Sequence, residues 1–300
     1  MEAASFLTTN GASMTKLYIL GSGTPTPTAE RYGSSFVVGV ADQLAMFDCG
    51  PAATHKLVKA GLWPTDVSHL FFTHHHYDHD VDYPCFLLCR WDQNIKQGAN
   101  PLSVYGPKPT EELTAGLIGE MGVFSHDVRA RINSELSQRV FVNRGGKLPR
   151  LWPMVDALNV DAGWRNETDR WQVTSGLGVH VQPYLDSLAW RIDTEECSIV
   201  FTGDTKPCDS VKELAKGADV LVAMCWDHQE QMACDCEDEG QMGTIGAGTL
   251  ADEAGVKNLV LVHSGRNLER SGSMERAVRE IGEVYKGRVI VGKELLTLEF

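Results

Sequence analysis

The sequence predicts an α/β fold in one large unit, and three observations carry that prediction. Short apolar, strand-like runs alternate with helical stretches over most of the chain. Several of those strands run directly into polar residues of the metal-ligand type. A chain of 300 residues with 43% hydrophobic composition is also large enough to bury a sizeable core.

Residues 1–13 are small and polar and read as a disordered leader, leaving 14–300 as a single domain. Lys16 to Leu20 is the first apolar run. Ser35 to Val40 and Gln43 to Phe47 make two strands across a short turn, followed by Asp48-Cys49-Gly50 and a helical stretch through Ala60. Ser68 to Thr73 is a further strand that ends at a histidine cluster. From about 81 to 175 the regular pattern breaks. A helix over Thr110 to Met121 sits among irregular stretches such as Arg144 to Pro149, so the segment reads in part as an insertion that shapes one rim of a site. Alternation then returns. Strands are expected at Gly178 to Tyr184, Leu188 to Ile192, Cys197 to Phe201, Asp219 to Ala223 and Asn258 to Val262. Helices are expected near Val211 to Lys216, Thr244 to Ala254 and Met274 to Tyr285, before closing strands.

Charge and cysteine content narrow the function classes. With 40 acidic against 27 basic side chains the formal charge is −13, which opposes docking onto nucleic acid or an anionic membrane, and no basic run stands out. Nucleic acid is therefore an unexpected partner, a small-molecule substrate the expected one, and a homodimer is compatible with the sequence. The 8 cysteines are scattered through a chain too long to need stapling, which suggests reduced thiols in the cytoplasm. The N-terminus has neither a basic n-region nor a long apolar run, so no signal peptide or membrane span is expected.

The chemistry concentrates in Phe71-Phe72-Thr73-His74-His75-His76-Tyr77-Asp78-His79-Asp80. Alternate residues of an extended segment point the same way, so His74 and His76 can reach one metal. A turn after them can present Asp78 and His79 to a second. Imidazole nitrogen and carboxylate oxygen suit zinc at about 2.0–2.2 Å, and a hydrolytic site keeps a position open for water.

On this H-x-H-x-D-H spacing the chain resembles the metallo-β-lactamase superfamily, from Gly21 onward. The resemblance implies a four-layer αββα sandwich. It implies that Asp48, at the end of a strand, orients a ligand. It matches His180 to the third histidine of the first metal, Asp204 of Phe201-Thr202-Gly203-Asp204-Thr205 to a carboxylate bridging both metals, and His263 to the last histidine of the second. The implied set is His74, His76 and His180 on one ion and Asp78, His79 and His263 on the other, with Asp204 shared and Asp78 and Asp204 as the catalytic carboxylates. Two divalent ions, zinc first with manganese or iron(II) as alternatives, lie about 3.5–4 Å apart in such sites and generate a hydroxide nucleophile at neutral pH. The expected activity is hydrolysis of a small ester, lactone, phosphodiester or sulfate.

Gly21-Ser22-Gly23-Thr24-Pro25 and His263-Ser264-Gly265-Arg266 look most like the branch that holds ribonuclease Z, its phosphodiesterase relatives and arylsulfatase-like enzymes. A ribonuclease Z-like nucleic-acid phosphodiesterase and a metal-binding sensor without turnover are the alternatives. Three departures weigh against the ribonuclease: Tyr77 stands where that branch carries glycine, and the glutamate and histidine expected near Met224 and Gln241-Met242 are missing, which leaves the proton donor unassigned. His55, His69, His126 and His228 match no ligand position, and His75 alone is close enough in sequence to buttress one. Cys234-Asp235-Cys236 is too short a set for a structural zinc and reads as part of a solvated acidic loop.

Overall fold

A computed structural model describes residues 14–97 and 101–300, so the expected leader at 1–13 lies outside the described residues. The first half runs β1 (Lys16–Ser22), β2 (Ser34–Val40), β3 (Gln43–Phe47), α1 (Ala53–Lys59), β4 (Val67–Phe71), α2 (Tyr77–Asp80), α3 (Tyr83–Gln93), β5 (Leu102–Gly106), α4 (Thr110–Ile118), α5 (Ser125–Asn133), α6 (Glu135–Asn143) and β6 (Val155–Asn159). The second runs β7 (Arg165–Glu167), β8 (Trp171–Leu177), β9 (Leu188–Thr194), β10 (Ser198–Phe201), α7 (Asp209–Ala215), β11 (Val220–Met224), α8 (Gln229–Asp235), α9 (Thr244–Ala254), β12 (Asn258–Val262), α10 (Ser273–Val284), β13 (Arg288–Val291) and β14 (Leu296–Glu299).

The strands form two seven-stranded sheets, ordered β14-β1-β2-β3-β4-β5-β6 and β13-β12-β11-β10-β9-β8-β7. Each sheet is antiparallel on one side and parallel on the other, with β3 to β6 parallel in the first and β10 to β13 parallel in the second. Burial explains the sequence patterns. Central β2 and β11 are covered on both faces and are buried along their whole length, whereas edge strands β6 and β14 alternate between exposed and half-buried residues.

Leu17, Phe36, Phe47, Phe71, Trp190, Phe201 and Val222 fill the space between the sheets. The Phe47 and Phe201 rings stack across it with centroids 4.2 Å apart. Burying one such side chain is worth about 1.5–3 kcal/mol. Two outer cores complete the four layers. Leu57, Tyr83 and Phe86 from α1 and α3 cover the first sheet, and Val211, Leu250, Ala251 and Ile281 from α7, α9 and α10 cover the second. The αββα sandwich is the fold of this chain.

Two sequence expectations differ in detail. The strand expected at Gly178 to Tyr184 falls earlier, as β8, and residues 178–187 form a loop. Gly178 and Pro183 break the ladder there, and the Gln182 side chain closes the loop on itself by accepting from the His180 N–H and donating to the Gly178 carbonyl, both at 2.8 Å. Residues 81–175 supply α3 and β5 to β8, which belong to the sandwich itself. Of the helices in this stretch, α3 and α4 pack on the first sheet, and α5 and α6 extend beyond them. No helix among the described residues is long and apolar enough to cross a membrane.

Parallel pairing brings the carboxyl ends of β3, β4, β10, β11 and β12 to one edge of the sandwich, where open α/β sheets place their ligands. The Trp190 indole donates to the Phe72 carbonyl at 2.9 Å and the Leu188 N–H to the Thr73 carbonyl at 2.8 Å, which locks the two sheets together at that edge.

Candidate metal centre

Asp48 follows β3 with a left-handed φ of 57°, a conformation aspartate tolerates better than most residues. The turn aims its carboxylate across to β4, where it accepts from the Thr73 N–H at 2.7 Å, from Thr73 Oγ1 at 2.9 Å and from His79 Nδ1 at 2.8 Å. Because Nδ1 of His79 donates outward, Nε2 is the atom left facing inward. That nitrogen is buried without a hydrogen-bond partner and lies 3.5 Å from both Asp78 Oδ2 and Asp204 Oδ1.

Thr73 Oγ1 spends its proton on Asp48, so it accepts from His74 Nδ1 at 3.0 Å and leaves His74 Nε2 with an inward lone pair. His180 Nδ1 donates to the Gly240 carbonyl at 2.8 Å, and its Nε2 also turns inward. His76 Nδ1 lies 3.1 Å from His74 Nε2 and 3.3 Å from His180 Nε2. Three imidazole nitrogens at hydrogen-bond distance, at least two of them lone pairs, call for a cation between them.

The donor atoms fall into two groups, each with all members within 4.8 Å of one another: His74, His76, His180 and Asp204, and Asp78, His79 and His263. Asp204 also lies 3.2 Å from His263 Nε2 and so stands between them. Asp78 Oδ1 and Asp204 Oδ1 are buried with no partner. Converging lone pairs together with orphaned carboxylate oxygens are what a cation would satisfy, so the residues fit divalent metal ions.

For Asp204 and His74 the electrostatics agree with this geometry, and for His79 they favour a positive charge that a cation would replace. Burial works against the Asp204 charge, yet His263 and His79 hold its carboxyl well below the usual range. Burial and the neighbouring His79 push His74 well down, toward the neutral form that ligates metal. Burial also opposes charge on His79, but Asp204 and Asp48 outweigh it and push that imidazole well up.

Local backbone features hold the set in place. Gly203 has φ 58°, and a Cβ there would meet Thr73 Cβ at 2.7 Å, so the turn that delivers Asp204 requires glycine. A Cβ on Gly50 would meet the Asp78 carbonyl at 2.2 Å. His263 leaves β12 with φ 51°, a strained conformation for a non-glycine residue that is found typically at functional sites.

All seven side chains singled out as ligands in the sequence therefore converge, and Asp48 braces His79 among them. His75 turns the other way, with its ring nitrogens 3.1 Å from Asp80 and 2.8 Å from Thr110 on α4. His228 is engaged by Glu280 and Ser273, at 2.9 and 2.8 Å. Cys234 and Cys236 are exposed and join no ligand cluster among the described residues. Met224 and Met242, in the region where an acid pair is missing, are both buried.

Four participants escaped the sequence reading: Thr73, Trp226, Glu237 and Gly240. Trp226 sets its ring 5.8 Å from that of His263, and its indole N–H donates to Glu237 at 2.7 Å. Only Thr73 had a visible signal, as the residue between a strand and the motif. Gly240 acts through a carbonyl, which no side-chain pattern records.

A family profile described as "Beta-lactamase superfamily domain" matches residues 45–264. Ribonuclease Z of Mycobacterium bovis (strain BCG / Pasteur 1173P2) is 26% identical over 295 residues, covering 95% of this chain and 98% of that protein. Among solved structures, the metallo-beta-lactamase fold protein YhfI from Bacillus subtilis superimposes with a TM-score of 0.71 at 19% identity, over 96% of this chain and 100% of that one. The short form of human tRNase Z superimposes with a TM-score of 0.63 at 19% identity, over 94% and 98%.

These likenesses overturn one expectation. The net charge of −13 argued for a small-molecule substrate and against nucleic acid, whereas relatives spanning nearly the whole chain are named for action on RNA. Whole-chain charge averages over faces that a substrate never meets, so it was the wrong quantity on which to exclude RNA.

Proposed function

The chain belongs to the metallo-β-lactamase superfamily and is a hydrolase of that fold, and from that premise we propose that it is a divalent-metal-dependent phosphodiesterase of the ribonuclease Z kind, acting on RNA. The observation that carries the proposal is Asp204, whose carboxylate stands between two histidine-rich groups in a site made of nitrogen and oxygen donors.

In this reading His74, His76 and His180 hold one ion, Asp78, His79 and His263 hold another, and Asp204 serves both. Zinc suits these donors best. When bound, such ions activate water at neutral pH and stabilise charge on phosphoryl oxygens. The protein's own work is positioning. Asp48 fixes the tautomer and tilt of His79, Thr73 does so for His74, and the Gly240 carbonyl does so for His180. His76 and His180 are the partly exposed members of a set whose other five are buried, so substrate approaches from their side. Met224 and Met242 carry no titratable proton, so protonation of the leaving oxygen does not pass through those positions.

The test offers the purified protein a precursor tRNA and bis(p-nitrophenyl) phosphate, each with and without chelator, with metal content measured in parallel. Cleavage of both, abolished by chelator and restored by zinc or manganese, is the expected result. A metal-loaded protein that leaves RNA intact under all salt conditions would refute the RNA assignment, and one that hydrolyses neither would refute phosphodiester chemistry.

A further inference from the structure

His228 takes no part in the metal centre, yet it is the middle member of a second cluster of reactive side chains. Its ring lies between Ser273 and Glu280, with Nε2 2.8 Å from Ser273 Oγ and Nδ1 2.9 Å from Glu280 Oε2. Both partners are on α10, seven residues apart, which is close to two turns, so their side chains share one face of that helix. His228 comes to that face from the position just before α8.

The chemistry of the three groups sets their roles. Burial works against charge on Glu280, but hydrogen bonds from His228, Thr244 and Arg276 hold its carboxyl below the usual range. An ionised carboxylate only accepts, so in the neutral imidazole Nδ1 donates to Glu280, and Nε2 keeps a lone pair for the Ser273 proton. The result is a hydroxyl nucleophile, an imidazole base and an orienting carboxylate in series. Thr244 Oγ1 at 2.8 Å and Arg276 Nε at 2.6 Å hold the carboxylate, from the start of α9 and from one turn back on α10. The buried Asp227 carboxylate accepts from the His228 N–H at 2.7 Å and fixes the backbone that carries the base.

The surroundings of Ser273 suit a reaction at its hydroxyl. His228 is buried, Ser273 is half-buried, and a Cβ added to the adjacent Gly272 would meet nothing within 4 Å, so the space there is open. No side chain caps the first turn of α10, and the N–H groups of Met274 and Glu275 have no acceptor among the described residues. Free N–H groups directly after a nucleophile, at the start of a helix, are placed to stabilise an oxyanion. Ser271, Glu275 and Arg276 beside it are exposed and polar, which suits a short acyl group better than a long chain.

We propose that Ser273, His228 and Glu280 form a second hydrolytic site, independent of metal, that cleaves esters of short-chain carboxylic acids. Ser273 Oγ attacks the ester carbonyl carbon while its proton passes to His228 Nε2. The bond to the alcohol oxygen breaks, and that oxygen leaves with the proton. Water then gives a proton to His228 and attacks the acyl group, the acid departs, and the proton returns to Oγ. One ester and one water give one acid and one alcohol.

The test treats the metal-loaded protein with a fluorophosphonate and maps the labelled peptides by mass spectrometry, beside hydrolysis of p-nitrophenyl acetate with and without chelator. Wild type should take up one label, on Ser273, as fluoride leaves phosphorus. S273A should take up none. H228Q should be labelled about 10²-fold or more slowly, the share a general base supplies, and E280Q should be slowed in the same direction. Ester hydrolysis that persists in chelator should fall by about 10²-fold or more in S273A. Absence of label on Ser273 in the folded wild type overturns the site, whatever the variants do. Labelling at the wild-type rate in folded H228Q overturns it as well, because the serine is then reactive without its base. So does chelator-resistant ester hydrolysis that S273A retains in full.

Discussion

The two halves of the metal centre are built differently. The Asp78, His79 and His263 group is buried and carries its own carboxylate, and His79 is braced by Asp48, a side chain that is itself held by Thr73. The His74, His76 and His180 group relies on Asp204 for charge, leaves His76 and His180 partly exposed, and takes its brace for His180 from one backbone carbonyl 60 residues away. The first arrangement is suited to holding an ion permanently. The second gives up some of that grip in exchange for access, so the two groups should differ in affinity and in how they respond to substitution.

The most damaging change should be the one that removes the element common to both. Asp204→Ala deletes the carboxylate between the groups, and turnover should fall by at least about 10²–10³-fold. Metal content should drop at both positions while circular dichroism stays native, because Asp204 is at the strand edge and makes no contribution to the apolar core. Near-normal turnover with two bound metals would show that the groups do not share it.

Asp48→Asn separates the groups. The side chain keeps its size and loses the charge that steadies His79, so affinity for the buried ion should weaken by about 10–100-fold. Competition with a graded series of chelators reads this directly, and the more exposed ion should be affected less. An equal loss at both positions would mean that the braces are coupled through Thr73. Gly240→Ala attacks the other side. A Cβ there would meet the His180 carbonyl at 2.4 Å, so the loop must move and the His180 brace with it. Activity should fall by roughly tenfold, the low end of the range for a lost supporting hydrogen bond, with metal content moving from two toward one. Full retention of both metals would place the control of His180 in the Gln182 loop instead.

What the sequence revealed follows the same division. The motif from His74 to His79 was legible because a strand and a turn place residues by local geometry alone, whereas Asp48, Asp204 and His263 were identified through the family resemblance, and the structure puts each at or just beyond the end of an apolar strand. His180 was found, but its surroundings were read as a strand, since Gly178 to Val181 has the apolar content of one and the closing role of the Gln182 side chain appears only in three dimensions. The helices α5 and α6 were missed for a different reason. The exposed face of α6 carries Leu136 and Val140 beside Arg139, and α5 buries only Val128, so neither period nor polarity marks the pair cleanly.

The smallest effect is expected at His75, and it tests whether bracing and ligation are separable inside three consecutive histidines. Extended geometry sends His74 and His76 to one side and His75 to the other, where it joins Asp80 to Thr110 across the start of α4. His75→Ala removes two hydrogen bonds from a nearly buried imidazole, each worth about 0.5–1.5 kcal/mol. Thr110 keeps the Pro107 carbonyl as an acceptor at 2.7 Å, which limits the damage on that side. Stability should therefore drop by about 1–2 kcal/mol, seen as a lower midpoint in urea at an unchanged slope. Metal content and turnover of a small diester should stay within about twofold of wild type, because no donor atom of either group touches His75. If the ions are lost along with stability, the link to α4 is part of the metal centre, and the contrast between a self-contained buried group and a dependent exposed one must be redrawn to include the helices beyond it.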